Sequence, residues 1–263
     1  GEDGETIDNC QHILLGCCAN LLDFYKRLGV DDRIRFHRDY AFVQPGGHVS
    51  VLKTGRAAHL LLSFGRLAFL DLGDKLAIAR ALQAIKREYG RRTDLDRITM
   101  LSWLEEKRQT AGAIARFWHP VLVSAVNAEL DQMAAKHGLQ VFRLAFLAGA
   151  DAVRMGVPGV PLGDLYAARS FAELGIDVRL RSPLARIRFE GNAVAGLEAC
   201  GAAHRADFYI CALPFDRLGS VAPDLRIDLS AFRHSSITGI HLWFDRPITD
   251  LPHAALLGRT IQW

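Results

Sequence analysis

The sequence predicts a mixed α/β fold made of two subdomains that share strands, and three observations lead there. Residues 176–199 read IDVRLRSP, LARIRFEGN and AVAGLEA, with Val178 and Leu180 alternating against Arg179 and Arg181, and Ile187 and Phe189 against Arg186 and Arg188. Period-two alternation with one polar face describes half-buried strands. Residues 208–213 (FYICAL) are apolar on both faces and stop at Pro214, the pattern of a strand in a parallel sheet covered on both sides. Helical periodicity dominates from about residue 55 to 150 and strand periodicity from about 176 to 245, which separates the chain into an α-rich and a β-rich region.

The elements follow in order. Residues 13–28 read as a helix with Leu14, Leu21, Leu22 and Tyr25 on one side and Gly29 as its stop. Residues 33–54 alternate around Pro45-Gly46-Gly47 and predict a β-hairpin. Asp74 is the expected cap of a helix carrying Ile78, Leu82, Ile85 and Tyr89 and ending at Gly90. A further helix is expected over 96–107 around Trp103 and Leu104. Another starts at Pro120 and runs to 136, with Leu122, Val126, Leu130 and Met133 inward and Gly138 at its end. Residues 140–148 read as helix and 156–163 as a Gly/Pro-rich loop. Residues 162–174 read as an amphipathic helix closed by Gly175. Glu190-Gly191-Asn192 is the turn of a hairpin, and residues 235–244 alternate as a last strand.

Composition limits the function classes. The chain has 263 residues, 50% hydrophobic and 23% charged, with a formal net charge of +3. It contains no Lys/Arg run of the kind that binds nucleic acid. No stretch reaches the length of a membrane span; the longest apolar run, 60–72, is interrupted by Gly65, Arg66 and Asp71. The five cysteines include no CxxC pair and read as reduced thiols of a cytoplasmic protein. Cys10, His12 and Cys17 are the one conceivable zinc set. It is disfavoured because adjacent Cys17 and Cys18 would project from different sides of a helix, so no metal is expected.

Four segments carry a resemblance. Asp8-Asn9-Cys10-Gln11-His12 is similar to an Asp-Asn-Gly-Gln-His run. Phe117-Trp118-His119-Pro120 with Ala125-Val126-Asn127 is similar to a Trp-x-Pro…Ala-Leu-Asn segment. Pro161-Leu162-Gly163-Asp164-Leu165-Tyr166 is similar to a Pro-Leu-x-x-Leu-Tyr helix start. Residues 240–247 (IHLWFDRP) are similar to a strand over a substrate cavity. Together they resemble the squalene-associated, FAD-dependent desaturase-like proteins, the hydroxysqualene dehydroxylases, within the flavin amine oxidase and phytoene desaturase class. The resemblance implies part of a two-subdomain FAD-binding fold. Residues 1–30 and 151–234 would be the remainder of the FAD-binding subdomain, and 31–150 and 235–263 the substrate-binding subdomain. It also implies FAD as cofactor, an isoprenoid lipid as substrate, and peripheral contact with the cytoplasmic membrane.

Two departures accompany the resemblance. Cys10 stands where the family has Gly. No strand–GxGxxG–helix is present, since Gly156, Gly159 and Gly163 have the wrong spacing and prolines among them. The chain is therefore expected to be a middle fragment of a longer enzyme. Amine oxidation, carotenoid desaturation and a catalytically inactive lipid-binding remnant stay open beside dehydroxylation.

The residue roles implied are these. Gln11 and His12 lie beside the flavin, His12 being the candidate proton donor to a leaving hydroxyl. Pro183 and Leu184 lie against adenine through the backbone, and Pro214 near the flavin at a strand's carboxyl edge. Trp118, Asn127, Trp243 and Phe244 line the substrate cavity. Each has a plainer reading: Asp8-Asn9 as a helix cap with His12 in its first turn, Pro183 as an edge-strand proline, and the aromatic residues as core. Arg179, Arg181, Arg186 and Arg188 form either a solvated face or a contact with phosphates or an anionic membrane surface.

Overall fold

The computed structural model describes all residues except 1–3, 5, 10, 11, 56, 262 and 263. The chain divides into two compact units, Gly1–Ala167 with Ser236–Trp263, and Ala168–Ser235.

In the first unit, β1 (Leu14–Leu15) precedes α1 (Ala19–Arg27). The helix expected from residue 13 thus begins later, because Leu14 and Leu15 pair as a strand instead. The turn between them is fixed by Gly16, where a Cβ would stand 1.8 Å from the Asp151 carbonyl oxygen. β2 (Ile34–His37), β3 (Asp39–Val43) and β4 (Val49–Lys53) follow. β3 and β4 form the expected hairpin, in register from Asp39↔Lys53 to Val43↔Val49. Gly46 and Gly47 take φ of 92° and 84° in its turn, a region closed to most side chains. β2 does not belong to that hairpin; it joins another sheet.

Next come α2 (Ala57–Gly65) and α3 (Leu72–Glu88). Asp71, not Asp74, caps α3: the Asp71 carboxylate accepts from Asp74 N–H at 2.7 Å, and Asp74 answers from N3 in a capping box. Asp74 is 1% exposed and also accepts from Thr110 Oγ1 and from Arg116 Nη2 at 3.1 Å. Its charge is thereby satisfied inside the fold. α4 (Met100–Glu106) is capped by Thr99. α5 (Ala111–Ala113) passes through a π-turn, Ile114–Trp118, into α6 (His119–Val126). The helix expected to continue to residue 136 stops at Asn127, whose φ of 53° is left-handed. Leu130 and Met133 are still buried, but from a turn. α7 (Ala135–Val141) runs into a second π-turn, Phe142–Phe146. Gly138 lies inside α7 and is not a stop; a Cβ there would meet Met100 Sδ at 2.4 Å. β5 (Met155–Pro158) and α8 (Leu162–Leu165) close this part of the chain.

The second unit comprises α9 (Ala168–Ala172), β6 (Leu184–Glu190), β7 (Ala193–Ala199), β8 (Ala202–His204) and α10 (Phe215–Val221). The expected β6–β7 hairpin is present, β8 pairs antiparallel to β7, and the unit's own core is small: Ile187, Val221 and Ala222. The helix expected over 162–174 is two short helices, α8 and α9, which fall in different units. Two expected strands are irregular here. Residues 176–182 leave Leu180 76% exposed, and residues 208–213 leave Phe208 89% and Ile210 96% exposed. Among the described residues, no backbone-to-backbone hydrogen bond engages 177–180 or 208–213.

Back in the first unit, residues 236–244 are likewise irregular, and β9 (Ala255–Leu256) adds parallel to β3. The sheets there are β1-β5-β2 and β4-β3-β9. The core lies under the helices, where Trp103, Trp118, Phe142, Met100, Ile78, Ile85, Leu122 and Leu139 are all below 2% exposed. Each such side chain contributes about 1.5–3 kcal/mol of transfer free energy. The two indoles keep partners for their N–H: Trp103 donates to Glu88 and Trp118 to Gln109, both at 2.8 Å. Among the described residues no helix is long and apolar enough to cross a membrane.

Candidate functional site

Two of the four recognisable segments converge. The Asp8 carboxylate accepts the Leu162 N–H at 3.1 and 3.2 Å, which ties the segment before His12 to the start of α8. Tyr166, just after α8, shares a 2.8 Å hydroxyl hydrogen bond with Tyr25 of α1, their rings edge-to-face at 5.9 Å. Burial first, then the Tyr166 hydroxyl, pushes the Tyr25 phenol well above its ordinary range, so it stays neutral. Arg33 donates to the Asp164 carbonyl at 2.9 Å. Asp8 and Tyr25 therefore clasp residues 162–166 within the first unit. His12 is exposed, two residues ahead of β1. Gln11 lies outside the described residues.

The other candidates are placed as follows. Trp118 is fully buried between Phe117 and Phe142, with ring centroids at 5.2 and 4.6 Å. Asn127 is the left-handed C-cap of α6 and half-buried. Trp243 and Phe244 are 65% and 55% exposed. In the second unit, Pro183 is exposed, and Leu184 is half-buried and paired with Ala199 at the start of β6. Pro214 is the exposed N-cap of α10.

The arginine stripe is spent mostly on carboxylates: Arg179 on Asp177 at 2.8 Å, Arg186 on Asp224 at 3.0 Å, and Arg188 on Glu198. Arg186 and Arg188 line a groove of about 510 Å³ with Glu198, His204, Arg205 and Asp224, an environment of mixed sign. Among the described residues no group of three His, Cys, Asp or Glu could hold a metal ion. The helix that was to separate Cys17 from Cys18 begins only after both.

An FAD diphosphate needs free backbone N–H groups at a helix start. No GxGxxG turn that would present them is found in the sequence. The strand–glycine turn–helix at β5–α8 is the nearest arrangement, and there the anionic Asp8 already takes the Leu162 amide. α10 is short and opens with Pro214. Sequence reading missed the Asp8–Leu162 and Tyr25–Tyr166 contacts. Asp8 and Leu162 lie in two recognisable segments, the one signal that could have suggested their contact; Tyr25 lies in none.

The profile of flavin containing amine oxidoreductases matches residues 1–262. The 15-cis-phytoene desaturase of Synechococcus elongatus is 25% identical over 96% of this chain and 58% of its own length. The zeta-carotene desaturase of Synechocystis is 29% identical over 54% of this chain and 32% of its own. The hydroxysqualene dehydroxylase of Zymomonas mobilis is 24% identical over 99% and 62%. The chain thus spans between a third and two thirds of these relatives. An oxidoreductase from Methanosarcina mazei has a similar fold, with TM-score 0.57 and 15% identity over 83% of this chain and 50% of that one. By the profile match along nearly its whole length, the chain belongs to the flavin containing amine oxidoreductase family.

Proposed function

We propose that this chain serves a flavin-dependent oxidoreductase of the carotenoid and squalene desaturase type, acting on an isoprenoid lipid, and that its reaction is the reductive dehydroxylation of hydroxysqualene to squalene, a step toward hopanoids. The observation that carries the reading is the Asp8–Leu162 clasp, which joins two of the segments that resemble the dehydroxylases. Alignment with the Zymomonas relative over 99% of the chain supports it. FAD is the family's cofactor.

The net change removes a hydroxyl as water and leaves a hydrogen in its place. Such a leaving group needs a proton, and the exposed His12 is the candidate donor. In this reading Gln11, Pro183, Leu184 and Pro214 face the cofactor from residues 1–30 and 151–234. Trp118, Asn127, Trp243 and Phe244 belong to the substrate side, residues 31–150 and 235–263. Peripheral attachment to the cytoplasmic face of a membrane is part of the proposal. Leu61 and Leu62 on α2 and Leu72 and Leu76 on α3, between 55% and 73% exposed, support it as an apolar patch that could enter a bilayer surface.

The second reading, desaturation of a carotenoid precursor, is favoured by the higher identity to the zeta-carotene desaturases. Turnover decides between them. A preparation carrying this chain and FAD is offered hydroxysqualene with a reductant and, separately, 15-cis-phytoene and zeta-carotene with an electron acceptor in its place. Squalene formation is expected, with His12→Gln lowering kcat by about 10²–10⁴. Desaturation of either carotenoid without squalene formation would overturn the first reading. With no GxGxxG turn in its sequence, the chain alone is expected to hold well under one FAD, read from its visible absorbance.

A further inference from the structure

His37 and His253 are far apart in sequence but meet in the first unit. His37 ends β2, and His253 lies two residues ahead of β9. Their rings pack edge-to-face with centroids 4.9 Å apart, and the Tyr40 ring is 6.5 Å from that of His253. His253 Nε2 is 2.9 Å from the Asp39 carbonyl oxygen. A carbonyl can only accept, so Nε2 carries the hydrogen and Nδ1 is the bare nitrogen. Nδ1 is shielded from solvent and has no hydrogen-bond partner among the described residues. A proton added there would make a buried N–H without an acceptor, beside a second imidazole. The strand that His253 precedes is thinly held. β9 pairs only Ala255 with Phe42 and Leu256 with Val43. Leu257 N–H donates to the Val43 carbonyl at 2.9 Å.

We propose that His37 and His253 form an acid-released latch: while both rings are neutral residues 253–257 lie along β3, and protonation of the pair frees them. The inference is independent of the reaction proposed above. The charged groups on the surrounding elements do not counter the added charge. Arg35 and Arg38 flank His37, Asp39 and Lys53 pair across the start of the β3–β4 hairpin, and Asp250 lies on the His253 segment. Arg38 already holds Asp151 at 2.7 Å, and the Arg154 guanidinium covers the Phe36 ring at 4.0 Å. Tyr40 donates its hydroxyl to the Val153 carbonyl. Among the described residues, the histidines that ion-pair with a carboxylate are His119 and His234, not these two. Burial, then His253, then Arg35, hold the His37 imidazole below its ordinary range. A histidine lowered in the folded state contributes fully above its unfolded value, about 6.5. That contribution is lost as pH falls from there through the lowered value. The latch therefore opens on mild acidification.

Hydrogen exchange on the full chain tests the latch. The reading is the protection factor of the Leu257 amide, corrected for the intrinsic pH dependence of exchange. Between about pH 7.5 and about pH 5.5 that factor is expected to fall about tenfold, the change that one pKa unit brings. The Trp103 amide, bonded to the Thr99 carbonyl in the helical core, should keep its protection over the same range. His253→Gln keeps a donor for the Asp39 carbonyl but takes no proton, and His37→Gln removes the facing charge. Each should flatten the Leu257 profile, and circular dichroism checks that both variants fold. His59→Gln, at an exposed histidine of α2, should leave the profile as in the parent. An acid-insensitive Leu257 amide in the parent would overturn the proposal. So would an equal fall at Trp103, or an undiminished fall when both histidines are replaced.

Discussion

The helical core of the first unit and the apolar runs of the second are both read as buried from the sequence, yet they end differently. On α3, α4, α6 and α7 the apolar stripes meet one another, and Trp103, Trp118 and Phe142 are fully buried. Residues 208–213 are apolar throughout, yet Phe208 and Ile210 stand in solvent. The difference lies in the backbone. A helix bonds its own N–H and C=O groups within a few residues, so it needs partners only for its side chains. A strand needs a neighbour for both. Where no neighbouring strand is present, a strand-like sequence stays open, and a helix-like one does not.

Substitutions should separate the two regions by size of effect. Trp118→Ala is expected to cost about 3–5 kcal/mol of unfolding free energy, read from the urea midpoint, because it leaves a large cavity and strands Gln109. Gly138→Ala should cost about 1–3 kcal/mol, since the new methyl must displace Met100, and Met100→Ala in the same chain should recover part of it. Asp71→Ala removes the α3 cap and should cost about 0.5–2 kcal/mol.

Acid tests the ion-pair cluster beside that core. Burial pushes the Glu88 carboxyl up, but Lys107, Trp103 and Arg92 outweigh it and hold the group below its usual range. A carboxyl lowered in the folded state stabilises fully above its unfolded range, and loses that contribution as pH falls through the lowered value. Denaturation curves at successive pH values should therefore show a smaller acid-side loss in Glu88→Gln than in the parent. The smallest effect should come from Ile210→Ala, within about 0.5 kcal/mol. A loss at Ile210 as large as that at Trp118 would break the comparison. Slow amide exchange over 208–213 would break it too.

What the sequence made legible follows the same division. Amphipathic spacing located α3, α4 and α6, and the Glu190-Gly191-Asn192 turn located the β6–β7 hairpin, because those signals are local. The α3 cap was misplaced by three residues, since Asp71 and Asp74 both have the right chemistry and only the box shows which is N-cap. Residues 120–136 have helical spacing throughout, and no side-chain pattern announces that Asn127 will turn left-handed. The strands at 176–182, 208–213 and 235–244 were read from side chains alone, but strand formation depends on pairing that lies elsewhere in sequence. Of the candidate site, His12 and Gln11 were visible only through resemblance. The Asp8–Leu162 contact spans 154 residues and left no local trace.

The two π-turns bear on how this chain tolerates change in length. Each holds one residue more than an α-helical path needs, and together they present Phe117, Trp118, Phe142 and Phe146, whose rings meet at 4.6 to 5.8 Å. Deleting Ala115 would let the first segment relax to a regular helix. It would also rotate everything before it by roughly 100° relative to the rings, given about 3.6 residues per turn. A single-residue deletion here would be harmless to the local backbone and ruinous to the aromatic contacts. These two helices should therefore vary freely in residue identity on their outer faces, and hardly at all in residue count.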